Sequence, residues 1–112
     1  MNPQEPATGQ SKQRQPTILV VDDEESFVAS LRHTLTREGY RVLTAFDGPA
    51  ALEIALREVP DLILLDLMLP GMPGLQVCRA IREAHLRDQP GIIMVTAKGT
   101  DVDTVVGLEF GL

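Results

Sequence analysis

Asp61-Leu62-Ile63-Leu64-Leu65-Asp66-Leu67-Met68-Leu69-Pro70-Gly71-Met72-Pro73-Gly74 is the stretch that decides how this chain folds. The four apolar residues Leu62 to Leu65 end on a carboxylate. The run is too short for a free-standing helix and is bounded by turn formers, so it reads as a strand buried on both faces, as in a parallel sheet under helices. The Pro/Gly-rich loop behind Asp66 cannot continue a strand or start a helix before about Gly74. Asp66 is thereby placed at the carboxyl edge of a sheet, where open α/β folds keep their sites.

Working outward, a second continuous apolar run, Thr17-Ile18-Leu19-Val20-Val21, also stops on acids, Asp22-Asp23-Glu24-Glu25. From Ser26 to Glu38, Phe27, Leu31 and Leu35, with Val28 alongside, make one face of an amphipathic helix, and Gly39 is the expected left-handed stop. His33 falls on the polar side of that pattern and reads as a solvated residue. Tyr40 to Phe46 is a shorter, more polar strand that suits a sheet edge. Asp47-Gly48-Pro49 turns the chain into a helix with Ala51, Leu52, Ala55, Leu56 and Val59 as its stripe, ended by Pro60. Leu75 to Leu86 is a third helix with Leu75, Cys78, Ile81 and Arg82 spaced by three and four, and His85 late in it is an ordinary polar residue. Gly91 to Thr96 is a further buried strand ending on a hydroxyl. Asp101 to Phe110, with Val102, Val105, Val106 and Phe110, offers a weaker helical face closed by Gly111. Strand and helix thus alternate four times, which implies a doubly wound parallel sheet in the order 2-1-3-4 with right-handed crossovers.

Composition bounds the function. The chain has 112 residues, 44% of them apolar, and a formal net charge of -6. It is one globular domain, residues 17–112, behind a tail, residues 1–16, too polar to offset the entropy of ordering. Excess acid and the lack of any basic run give no attraction for nucleic acid or an anionic membrane, so no direct nucleic acid binding is expected. No apolar stretch approaches the length of a membrane span and no signal-peptide pattern opens the chain, so a cytoplasmic location is expected. The single cysteine, Cys78, reads as a small buried hydrophobe. The glycines fit neither a dinucleotide fingerprint nor a Walker loop.

In the order 2-1-3-4 the first and third strands are neighbours, so Asp22, Asp23 and Asp66 converge, with Thr96 one strand over. Three carboxylates in one pocket repel unless a cation compensates them. An all-oxygen set without His or Cys selects a hard ion, Mg²⁺ before zinc or copper, and the acids lack the spacing of an EF-hand calcium loop.

Four pieces together give a family likeness over Thr17 to Leu112: Ile18-Leu19-Val20-Val21-Asp22-Asp23-Glu24, Leu64-Leu65-Asp66-Leu67-Met68-Leu69-Pro70-Gly71-Met72-Pro73-Gly74, Val95-Thr96-Ala97-Lys98 and Gly107-Leu108-Glu109-Phe110-Gly111. The chain resembles the receiver domain of two-component response regulators. The resemblance implies that Asp66 accepts a phosphoryl group from a phosphohistidine on a sensor histidine kinase or phosphotransfer protein. It implies that Asp22 and Asp23 bind Mg²⁺ with Asp66, that the Met68 backbone carbonyl completes the protein's share, and that Thr96 hydrogen-bonds a phosphoryl oxygen and relays the switch. A longer parent would carry an output domain, a winged-helix DNA-binding one by the form of these motifs.

Receivers continue into a fifth strand with a Lys-Pro pair and a fifth helix, which this sequence, ending at Leu112, does not contain; Lys98 is not that lysine. The Gly91 to Thr96 strand is therefore expected at an exposed edge: either the sequence is part of a longer receiver, or the edge is completed by another chain through edge pairing, a homodimer or a swapped element. Two alternatives share parts of the pattern. One is a pseudo-receiver that binds without phosphoryl chemistry. The other is an aspartate-nucleophile phosphatase, which needs a second acid two residues after the nucleophile, where this chain has Met68.

Overall fold

In a computed structural model of the chain, residues 15–96 and the backbone of 104–109 are described. The elements in order are β1 (Thr17–Val21), α1 (Glu25–Arg37), β2 (Arg41–Ala45), α2 (Gly48–Glu58), β3 (Leu62–Asp66), α3 (Gly74–Glu83), β4 (Gly91–Thr96) and β5 (Thr104–Glu109). The sheet runs β2-β1-β3-β4-β5. Its first four strands are parallel, in the expected order 2-1-3-4. The expected tail falls mostly outside the described residues.

The two faces of the sheet follow from the alternation of side chains along each strand. Leu19, Val21, Ile63, Leu65, Ile92 and Met94 point to one face and are closed over by Ala51 and Ala55 of α2 and Val77, Cys78 and Ile81 of α3. Ile18 and Val20 point to the other, under Val28 of α1, with Leu31, Leu35, Leu62 and Leu64 packed around them. Central strands buried on both sides are what their unbroken apolar runs require. Cys78 lies in this core as expected.

Helix ends are set by local chemistry. The Asp47 carboxylate accepts the Ala50 N–H at 2.8 Å, capping α2, and Pro49 stands in the first turn. At the far end of α1, Gly39 has φ +100, its N–H donates to Thr36 O at 3.0 Å and the Tyr40 N–H reaches back to Leu35 O at 3.2 Å. This is a Schellman stop, and Leu35 and Tyr40 pack on the same cluster. His33 is exposed on α1.

Three expectations need correction. Leu56, expected on the buried stripe of α2, is 39% exposed. In the segment expected as a helix over Asp101 to Phe110, the described residues are a strand instead: Thr104–Glu109 forms β5, antiparallel to β4, with Ile92 opposite Glu109 and Thr96 opposite Thr104. The physical reason is the open edge of β4. An unpaired row of backbone N–H and C=O groups is satisfied by the nearest segment able to extend, and Val105 and Val106 favour strand over helix. Edge pairing by another chain is therefore not needed at β4, because the chain's own residues cover it. Leu75 is also misplaced by its spacing. It is 53% exposed, and Val77 takes its place on the buried stripe of α3, because the helix begins at Gly74 and its buried face is fixed by Ile81 and Cys78.

The Gly39 geometry yields a test. Gly39→Ala places a Cβ at a left-handed position with nothing within 4 Å, so the cost is conformational rather than steric. It should lower unfolding stability by roughly 1–2 kcal/mol in a urea melt.

Candidate functional site

The carboxyl ends of β1 and β3 bring the acids together. Val21 pairs with Leu65 in parallel register, so Asp22 and Asp66, each next in its strand direction, stand side by side. Asp23 follows at the start of the β1–α1 turn. One carboxylate oxygen from each of Asp22, Asp23 and Asp66 lies within 4.8 Å of the others. Asp22 and Asp66 are buried, Asp66 to 3% exposure, while Asp23 is exposed.

Each buried acid is oriented by the chain just beyond it. Asp22 Oδ1 accepts the Glu24 N–H at 2.9 Å, and Asp66 Oδ1 accepts the Met68 N–H at 3.0 Å. Both are Asx turns, a conformation that Asp favours because its short side chain mimics a backbone carbonyl. Burial pushes the Asp66 carboxyl above its usual range; the Met68 hydrogen bond pulls the other way, and the charges of Asp22 and Glu24 add to the upward push. Glu24 is a contributor that the sequence reading did not single out.

The loop between Asp66 and α3 is seated by its glycines. A Cβ at Gly74 would lie 2.5 Å from the Asp66 carbonyl oxygen and 3.0 Å from Leu67 Cα. Only glycine lets the start of α3 approach the strand end this closely. Its N–H donates to Leu67 O at 3.1 Å. Thr96 occupies the last position of β4, one residue beyond Val95, the register partner of Asp66. Its side chain, like Lys98, lies outside the described residues. Met68 is 64% exposed at the rim.

The donor set fits a hard divalent ion. With Mg²⁺–oxygen bonds of about 2.1 Å, two oxygens on one ion are at most roughly 4.2 Å apart. A trio confined within 4.8 Å is close to that span, so Asp22, Asp23 and Asp66 could share one such ion.

This doubly wound sheet gathers three aspartates at its carboxyl edge, and the chain belongs to the response regulator receiver domain family, whose model matches residues 18–112. It is 52% identical over 94 residues to the alkaline phosphatase synthesis transcriptional regulatory protein PhoP of Bacillus subtilis, a match covering 84% of this chain and 38% of that protein. It is 46% identical over 96 residues to the transcriptional regulatory protein AfsQ1 of Streptomyces coelicolor, covering 86% and 41%. The chain therefore spans about two fifths of the length of the curated relatives it matches. Among solved structures it is similar to the signal receiver domain of a LuxO repressor protein from Vibrio parahaemolyticus, with a TM-score of 0.70 and 30% identity over 79% of this chain and 66% of that one. The function of the family is that of the receiver in two-component response regulators. No helix among the described residues is long and apolar enough to cross a membrane.

The upward shift of Asp66 has a sign that can be checked. A carboxyl whose pKa is higher folded than unfolded binds more protons in the native state, so the fold loses stability as pH rises from the unfolded value, about 3.9, through the raised one. With divalent ions chelated, Asp66→Asn should melt at a higher temperature than wild type at pH 7, with the gap closing below about pH 4. A gap that persists at low pH would show a cause other than this carboxylate.

Proposed function

We propose that the chain is a phosphoacceptor switch in which Asp66 takes a phosphoryl group from a phosphohistidine of a sensor histidine kinase or a phosphotransfer protein. A carboxylate oxygen of Asp66 forms a bond to phosphorus as the phosphorus–nitrogen bond breaks and the imidazole leaves with the electron pair; the product is an acyl phosphate. The observation that carries this reading is the placement of Asp66, buried at a strand end with its carboxylate oriented by the Met68 N–H and two further acids within 4.8 Å. Transfer of this kind needs positioning and charge compensation more than covalent help.

Asp22, Asp23 and Asp66, with the Met68 carbonyl, would hold Mg²⁺, which when bound neutralises charge between the carboxylate and the incoming phosphoryl group. Asp23, the exposed member, is the one able to meet an ion arriving from solvent. Thr96, adjacent in register to the partner of Asp66, is the residue to receive a phosphoryl oxygen through its hydroxyl. The acyl phosphate adds roughly -1.5 to -2 charges and three acceptors, enough to reorganise a neighbouring loop. Beyond this self-directed chemistry no turnover of a substrate is proposed. In a longer protein the output is transcriptional, as the names of the two relatives suggest, with the protein acting in the cytoplasm.

The test uses a small-molecule phosphodonor. With acetyl phosphate and Mg²⁺ the wild-type protein should gain one phosphoryl mass, which Asp66→Asn should not, and chelation of Mg²⁺ should suppress the gain. Equal labelling of the two proteins would move the phosphoacceptor away from Asp66.

A further inference from the structure

We infer that Gly48 is a positioning residue for Asp66, acting from a different element through Met72; the inference rests on the phosphoacceptor reading of Asp66. Gly48 is the first residue of α2 and is buried. A Cβ there would overlap Met72 Cβ and lie 2.7 Å from Met72 O and 3.1 Å from Met72 Cγ. Two of those three atoms are Met72's own Cβ and backbone oxygen, so a rotamer change of the methionine cannot make room and the loop itself must move.

The motion has a short path to the acid. The Met72 N–H donates to Pro70 O at 2.9 Å across Gly71, whose φ is +80, so residues 70–72 form one tight turn. That turn continues into Leu69, 8% exposed in the core, and then into Met68, whose N–H holds Asp66 Oδ1. At the other end of the loop Gly74 is pressed on the Asp66 carbonyl. The loop is thus held between two helix starts, that of α3 against the Asp66 backbone and that of α2 against Met72. The α2 start is itself fixed, since the Asp47 carboxylate caps it through Ala50 N–H at 2.8 Å. Being wedged between fixed ends, the segment has little slack to absorb an added methyl group.

The full chain can be tested with Gly48→Ala, Met72→Gly and the double variant, with Gly39→Ala as a destabilised control remote from the acids. Three quantities are read: the Mg²⁺ midpoint by calorimetric titration, hydrogen exchange of the Met68 amide in chelator, and the initial rate of phosphorylation by acetyl phosphate. Gly48→Ala should weaken Mg²⁺ binding, speed Met68 exchange and slow phosphorylation by about ten- to a hundredfold, the scale of a roughly 1 Å misplacement. Gly39→Ala should change none of these well below its melting temperature. The double variant removes Met72 Cβ and Cγ from the path of the added methyl group but keeps the Met72 carbonyl oxygen, so its losses should be smaller than the sum of those of the two single variants, a coupling expected only of residues in contact.

Wild-type Mg²⁺ and exchange behaviour in Gly48→Ala, the same losses in Gly39→Ala, or fully additive losses in the double variant would each overturn the inference. Should Gly48→Ala not fold, Met72→Gly alone decides, because loss of the buttress must still speed Met68 exchange and weaken Mg²⁺ binding; unchanged values overturn the proposal. A wild-type protein that takes no phosphoryl group would instead sink the phosphoacceptor reading, while the Mg²⁺ and exchange measurements would still decide whether Gly48 positions the loop.

Discussion

The parallel pairing of β1 with β3 is the constraint on which everything functional depends. Val21 stands opposite Leu65, and the next residue in each strand is an aspartate. A slip of one residue would carry the apolar set of one strand to the wrong face of the sheet, so the register is enforced by the whole core and not by the acids. The acids in fact oppose it: Asp66 is desolvated and faces the charge of Asp22 and Glu24. Hydrophobic burial of Leu19, Ile63 and Leu65 against α2 and α3 holds together a juxtaposition that electrostatics alone would separate.

That division of labour explains how the acids can be held side by side. The core supplies position, and the Asx turns at Asp22 and Asp66 supply orientation. The helices have separate tasks. α1 covers β1 and β2 on one face, whereas α2 and α3 cover the other and send their first residues against the β3–α3 loop and the end of β3.

The sheet was legible because continuous apolar runs with acids at their ends are strong signals, and strict alternation leaves few topologies. The metal-type cluster was legible for the same reason, since strand ends and strand order are enough to bring Asp22, Asp23 and Asp66 together. What escaped was local or one-dimensional. In Thr104–Glu109 the valines fit a helical stripe about as well as a strand, and only the edge of β4, a tertiary feature, decides between them. Leu75 and Val77 are both apolar and two positions apart, so the rotation of α3 depended on where the helix starts, which is set by the contact of Gly74 with the Asp66 carbonyl. The roles of Gly48 and Gly74 have no sequence signature at all: each reads as a turn former until its nearest atoms are known.

The two glycines of the β3–α3 loop serve opposite needs, and this sets where the loop can change length. Gly71 has φ +80 and open space around it, so it is a hinge of conformation; Gly74 is a matter of clearance. Extra residues spliced in at Gly71 would bulge into solvent and leave α3 seated on the strand end. The same insertion next to Gly74 would lever the helix off the Asp66 backbone. A lengthened tip at Gly71 would leave the α3 end seated yet uncouple the loop from α2, converting a loop braced at two points into one tethered at a single end. Peptide insertions or spectroscopic labels carried on this loop are therefore tolerated by the fold at one glycine and not at the other.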